Sequence, residues 1–166
     1  MAPQKPKRSR TKARNGARIA AVQALYQMDL IKSDINEVVA EFSDHRFLEA
    51  SVEIGHAEVE TEFFNDLIRG AVARQLEVDP MIDKQLATGW RLTRIDSILR
   101  AILRGATYEL LARQDVPAKA VISAYVDIAH DFFAGEEPKV VNGILDKLAR
   151  KLRPGEMGSK DEGSKE

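Results

Sequence analysis

The chain has no cysteine, which excludes disulfide bonds, thiolate nucleophiles and cysteine-based zinc sites. Aromatic residues are also scarce, at 6% of the chain, with a single tryptophan. No hydrophobic run is long enough for a membrane span or a signal-peptide core. With 166 residues, about the size of one domain, the sequence predicts a soluble cytoplasmic protein with no membrane association.

Acidic residues are missing from the first 28 positions, which carry seven basic ones: Lys5, Lys7, Arg8, Arg10, Lys12, Arg14 and Arg18. The remaining 18 basic residues face 26 acidic ones, a net charge of −8. A basic segment on an acidic body favours a polyanion that binds the segment, and nucleic acid is the first candidate. Organellar or nuclear targeting and a merely solvated tail are alternatives that composition leaves open.

Motifs for catalysis are absent as well. His45, His56 and His130 are scattered, without the spacing of a metal site or a general base, and are interpreted as surface histidines. The sequence has no glycine-rich phosphate loop and no dinucleotide-binding motif. It therefore predicts a protein without enzymatic activity, metal or cofactor.

Apolar residues recur at helical spacing along most of the chain, and no stretch alternates like a strand. The pattern predicts an all-α fold of about seven helices in one compact domain. Their expected ranges are 16–31 with Asn15 as N-cap and Arg18 opening the polar face, 36–42, 58–76, 80–87 with Asp79 as N-cap and Pro80 as first residue, 94–112, one from Asp115-Val116-Pro117, where Asp115 is expected to cap in the same manner, to Gly135, and one from Pro138. The wide apolar stripe over 94–112 predicts a central helix packed on more than one side. Residues 45–55 are expected to form a loop.

The two ends of the chain are expected to be irregular. Residues 1–14 are predicted to be a flexible basic arm, 15–153 the helical domain, and 154–166 a disordered polar tail.

Several side chains have two interpretations. Arg91, Arg94, Arg100 and Arg104 could extend a phosphate-binding surface, although solvated or paired arginine is favoured. Trp90 could stack on a base, but a lone tryptophan at a helix junction is more often part of the core. For Tyr26, base stacking and core packing are equally open.

Two segments go beyond a generic helical pattern. The first is Ala17-Arg18-Ile19-Ala20-Ala21-Val22-Gln23-Ala24-Leu25-Tyr26-Gln27; the second holds Trp90, Ile95-Asp96, Leu103-Arg104, Tyr108-Glu109-Leu110, Asp115-Val116-Pro117 and Val141-Asn142-Gly143-Ile144-Leu145-Asp146. Together they resemble the NusB family of bacterial transcription antitermination factors. The resemblance covers roughly residues 14–153.

The resemblance implies two small helical bundles and no catalysis. It implies binding to the boxA element of ribosomal RNA transcripts together with NusE, a small-subunit ribosomal protein, in a complex with RNA polymerase and other Nus factors. The residues that match the family's RNA-facing positions are Arg14, Arg18, Gln23, Tyr26, Lys139 and Asn142. The charge pattern adds Lys7, Arg8, Arg10 and Lys12 as single-stranded RNA contacts.

Some features depart from the family. Relatives can carry phenylalanine before the Val-Asn-Gly segment, where this chain has Val140, which cannot stack on a base. The same helical domain occurs fused to RNA cytosine methyltransferases, but this chain has no room for a methyl-donor domain. The rival hypothesis is a non-catalytic helical adaptor or homodimer without a direct role toward RNA.

Overall fold

A computed structural model of the chain describes residues 7–42 and 60–157. All regular secondary structure in these two ranges is helical, which confirms the all-α prediction. Two compact units meet in sequence at Gly70 and Ala71, in agreement with the expected pair of small bundles. The predicted loop 45–55 and positions 158–166 of the predicted tail lie outside the described residues.

The first unit contains helix α1 (Lys7–Ile31), helix α2 (Ile35–Glu41) and most of helix α3 (Thr61–Ala73). Helix α1 ends as predicted but begins at Lys7, so the expected start at 16 and the N-cap role of Asn15 are wrong. Lysine, arginine and alanine favour helix, and the backbone N–H of Glu60 donates to the carbonyl of Ala13 at 3.1 Å. This bond between distant parts of the chain stabilises the helix within the segment that was expected to be an arm.

Helix α2 lies within one residue of its predicted range. Its N-cap is Asp34, whose carboxylate accepts from the backbone N–H of Asn36 at 2.9 Å. The rings of Phe42 and Phe64 stack with centroids 5.8 Å apart, so the end of α2 packs against α3 in the core of the unit.

The predicted helix 58–76 is divided at Arg74, after which helix α4 runs over Gln75–Asp83. Pro80 is therefore inside a helix, and its predicted position at the start of an 80–87 helix is wrong. The hydrogen bond that proline cannot donate would have reached the carbonyl of Leu76. Leu76 is 94% exposed, so water can replace the lost bond there.

The second unit is built around helix α5 (Ser97–Ala112), which contacts α4, helix α6 (Ala118–Phe132) and helix α7 (Glu137–Leu152). Residues 101–103 and 105–110 are buried, which confirms a central helix packed on several sides. A short 3-10 helix, Leu92–Arg94, precedes α5. Asp96 caps α5 by accepting from the N–H groups of Ile98 at 2.8 Å and Leu99 at 3.3 Å.

Trp90 lies before that 3-10 helix and is 54% exposed, so its assignment to the core is wrong. It follows Gly89, whose φ of 88° is a conformation that favours glycine. The turn is closed by the N–H of Trp90, which donates to the carbonyl of Ala87 at 2.9 Å.

Residues 154–157, predicted to be disordered, form helix α8 (Pro154–Met157), with Met157 buried. Arg153 is also buried and donates to the carbonyls of Leu110 at 2.9 Å, Glu109 at 3.1 Å, Arg113 at 2.6 Å and Val116. Glu156 caps α6 by accepting from the N–H of Ala118 at 2.8 Å. The predicted cap Asp115 instead pairs with Arg113.

Candidate RNA interface

The basic segment of the sequence is helical from Lys7 onwards, and Lys7, Arg8 and Arg10 belong to the first turns of α1. The side chain of Lys12 is exposed. A helix presents residues four apart on one face, so positions 10, 14 and 18 share a helical register. From Lys7 onwards, the cationic positions of this segment therefore follow the regular spacing of a helix.

Arg14 is held by two kinds of contact in the first unit. Its guanidinium carbon lies 4.7 Å from the centroid of the Phe63 ring, within the range of a cation–π interaction. Its Nε donates to the Glu60 carboxylate at 3.1 Å. The Arg14 side chain is 31% exposed, so a cation that is already oriented remains accessible to a phosphate.

Arg18 lies one turn further along α1 and is 4% exposed. Its guanidinium carbon is 5.2 Å from the centroid of the same Phe63 ring, and its Nη1 donates to Asn15 at 2.8 Å. The expectation that Arg18 opens a solvated polar face is therefore wrong. Two guanidinium groups share one aromatic ring, and Arg18 forms the buried side of this arrangement.

The other predicted residues of α1, Gln23 and Tyr26, are both partly buried. Tyr26 is thus neither a core residue nor fully exposed. Because the basic turns and these two residues occupy one continuous helix, the structure brings eight positions of the predicted site onto a single element: Lys7, Arg8, Arg10, Lys12, Arg14, Arg18, Gln23 and Tyr26.

Lys139 and Asn142 belong to α7 in the second unit, three residues apart and both exposed. The Lys139 ammonium is 3.5 Å from the carboxylate of Glu136. Asn142 lines an open groove of about 490 Å³ between α6 and α7. Its lining combines the apolar Ile122, Val126 and Met157 with the polar or charged Lys119, Ser123, Asp127 and Asp146.

Two arginines of the central helix are engaged within the protein, as favoured from the sequence. Arg104 binds Asp79 through two parallel hydrogen bonds of 2.9 and 2.8 Å. Arg100 donates to the carbonyl of Leu92 at 3.0 Å and to the hydroxyl of Ser97 at 3.2 Å. Arg91 and Arg94 are exposed.

Sequence reasoning missed Glu60 and Phe63 as parts of the site. The helical spacing indicates for Phe63 only an apolar position in the predicted helix 58–76, and no local signal singles out Glu60. Both are separated from Arg14 by more than 40 residues, so no local pattern connects them. The one available signal was an aromatic ring next to an acidic residue at a helix start.

The described ranges contain no group of three or more histidine or acidic side chains placed to hold a metal ion. No helix within them is long and apolar enough to cross a membrane. The fold and the site define an all-helical protein with a cationic first helix.

Comparison with known proteins identifies the class as transcription antitermination factors, which are not enzymes, and the chain belongs to the NusB family, which matches residues 15–150. The transcription antitermination protein NusB of a Bradyrhizobium species is 51% identical over 148 residues, or 89% of this chain and 87% of that protein.

Two solved structures have the same fold. T. maritima NusB is 28% identical with a TM-score of 0.64, over 94% of this chain and 99% of that one. A NusB solved with NusE and double-stranded RNA is 25% identical with a TM-score of 0.68, over 88% of this chain and 99% of that one.

Proposed function

We propose that this protein binds RNA in transcription antitermination and that the basic turns of α1 are its main contact. The observation that carries the proposal is the accessible guanidinium of Arg14, oriented over Phe63 within an acid-free segment. Family membership and the related NusB solved with NusE and RNA support it. The proposed ligand is the boxA element of ribosomal RNA transcripts, bound in the cytoplasm with NusE and then with RNA polymerase and other Nus factors.

The proposed RNA-binding residues combine cations with side chains that can contact bases. They are Lys7, Arg8, Arg10, Lys12, Arg14, Arg18, Gln23, Tyr26, Lys139 and Asn142. The cations neutralise phosphates, which fixes the position of the RNA and makes its binding depend on salt. Amide groups contact base edges, and a partly exposed ring contacts base faces. Since Arg18 is buried, its proposed part is to support the Phe63 ring and the helix face around Arg14.

Val140 limits base stacking at the start of α7. An aliphatic side chain offers no π face, and Val140 is only partly exposed. We therefore assign stacking to Tyr26 on α1 and hydrogen bonding to Asn142 on α7.

The test is fluorescence anisotropy of a labelled boxA-type single-stranded RNA over a salt series. The same RNA annealed to its complement is measured in parallel as a double-stranded ligand. The informative variant replaces Lys7, Arg8, Arg10 and Lys12 by glutamine, which keeps helix propensity. We expect wild-type log affinity to fall with log salt by about 0.7 per phosphate contact, and the slope to shrink in the variant.

The matched control removes four exposed positive charges elsewhere, by glutamine at Arg69, Lys84, Lys147 and Lys151. If both variants lose affinity equally, net charge rather than the basic turns of α1 determines binding. A weak, salt-insensitive wild-type curve would instead favour the helical adaptor or homodimer.

A further inference from the structure

Glu60 occupies the position before α3 and is joined to α1 at two adjacent residues. Its backbone N–H donates to the carbonyl of Ala13 at 3.1 Å, and its carboxylate accepts from Nε of Arg14 at 3.1 Å. The backbone bond fixes the place of the carboxylate whatever its charge. An anion is therefore built into the cationic site, directly beside Arg14.

The Phe63 ring also orients Arg14. Phe63 is 1% exposed and lies in the core, and the guanidinium carbon of Arg14 is 4.7 Å from the centroid of its ring. A cation over a ring keeps its hydrogen-bonding edges available to acceptors in the plane of the guanidinium. The Glu60 carboxylate occupies such an acceptor position, which is also the kind of position that a phosphate oxygen takes on arginine.

We propose that Glu60 is an internal competitor for RNA phosphate at Arg14 and lowers the affinity of this protein for RNA. The inference rests on the proposed function, because it concerns the same site. The pair is about one-third exposed on both sides, so its bond is weak enough for a phosphate to replace it. A phosphate that replaces the Glu60 carboxylate binds the Arg14 guanidinium in its place. The carboxylate then turns to solvent or repels the RNA strand.

Competition favours a ligand with several phosphates. A single phosphate gains little when it displaces the Glu60 carboxylate from Arg14, because one anion is only exchanged for another. A strand that also meets Lys12 and the preceding basic positions gains additional contacts in the same step. Glu60 therefore weakens the binding of isolated anions and short RNA fragments more than the binding of a continuous RNA strand.

The test compares RNA affinity of the wild type with that of Glu60→Gln, which keeps the size and the hydrogen-bond acceptor but removes the charge. We expect Glu60→Gln to bind the boxA-type single-stranded RNA about two- to fivefold more tightly, the range in which exposed ion pairs act. The matched control is Glu62→Gln on the first turn of the same helix, where the side chain is exposed. It removes an equal charge without touching Arg14 and is expected to change affinity less.

A double-mutant cycle with Arg14→Gln separates the direct contact between Glu60 and Arg14 from the general electrostatic effect of removing one negative charge. We expect the gain from Glu60→Gln to disappear in the Arg14→Gln background. An equal gain in both backgrounds, or equal effects of Glu60→Gln and Glu62→Gln, would overturn the inference. Weaker binding by Glu60→Gln would also overturn it, because the carboxylate would then position Arg14 instead of competing.

Failure of the proposed function has a different signature, since the wild type itself would then bind RNA weakly and without salt dependence. Circular dichroism verifies that each variant is folded. If Glu60→Gln does not fold, Glu60→Asp replaces it: the shorter side chain keeps the charge but withdraws the carboxylate from Arg14. A folded Glu60→Asp variant with unchanged affinity would contradict the inference, and one with a smaller gain would support it.

Discussion

Arg104 and Asp79 form a two-bond ion pair between the central helix and α4. The side chains are 11% and 25% exposed, so the pair is partly shielded from water. Removing one partner leaves the other charge without its hydrogen bonds. We expect Arg104→Ala to lower the free energy of unfolding by about 1.5–3 kcal/mol, measured by urea denaturation.

The control for that measurement is Arg74→Ala. Arg74 also makes two hydrogen bonds to a carboxylate, that of Glu77, and these bonds raise the pKa of Arg74. Its pair is exposed and screened by water, so the loss of stability should be clearly smaller than for Arg104→Ala. Equal losses for Arg104 and Arg74 would mean that burial of the first pair contributes nothing.

Asp96 and Asp115 look alike in sequence, each shortly before a helix, but only Asp96 is a cap. We expect Asp96→Ala to cost about 0.5–2 kcal/mol in urea denaturation, because the N–H groups of Ile98 and Leu99 lose their acceptor. Asp115→Ala should cost less, since Glu156 accepts from the first N–H of α6. A larger cost at Asp115 would contradict this assignment of caps.

At the scale of elements, the short helix α8 completes the second unit. Chains that end after Leu152 lose the five hydrogen bonds of Arg153, four of them to carbonyls around the α5–α6 connection. We expect that truncation to cost at least about 3 kcal/mol in urea denaturation, because several buried carbonyls lose their partner at once.

A chain ending after Met157 is the control and should be about as stable as the full chain. In the full chain, Arg153→Lys should recover little of the stability lost in Arg153→Ala, since a lysine ammonium cannot reach carbonyls in several directions. Full rescue by lysine would show that charge alone matters there.

Most elements could be predicted from the sequence because their stabilising signals are local. Periodic apolar residues predicted α2, α5, α6 and α7 within a few residues. The errors occur where a distant partner decides the outcome. Asp79 was assigned to a cap but binds Arg104, and the start of α1 depends on Glu60 and Phe63 across 45 residues or more.

The candidate site divides in the same way. Cationic composition and the motif around Tyr26 select the segment that we propose for RNA binding, because both are properties of neighbouring residues. Burial of Arg18 and exposure of Trp90 were missed. Side-chain exposure depends on what packs against a position, and the sequence does not state this locally.

At the scale of the whole molecule, basic charge is concentrated at one end of the sequence and the remainder is acidic. This separation supports different surfaces for RNA and for a basic protein partner. NusE is the protein partner that we propose, and we expect the glutamine variant at Lys7, Arg8, Arg10 and Lys12 to bind it as the wild type does in calorimetry without RNA. A parallel loss of RNA and NusE binding would contradict separate surfaces.

The position of Arg153 also has a consequence for biosynthesis. The carbonyls that it binds, from Glu109 to Val116, are translated some 40 residues earlier. While the ribosome is still adding α7, those carbonyls have no arginine to bind. The second unit therefore cannot reach its final hydrogen bonding until Arg153 has been translated, and a chain that stops before Arg153 leaves these carbonyls without that donor.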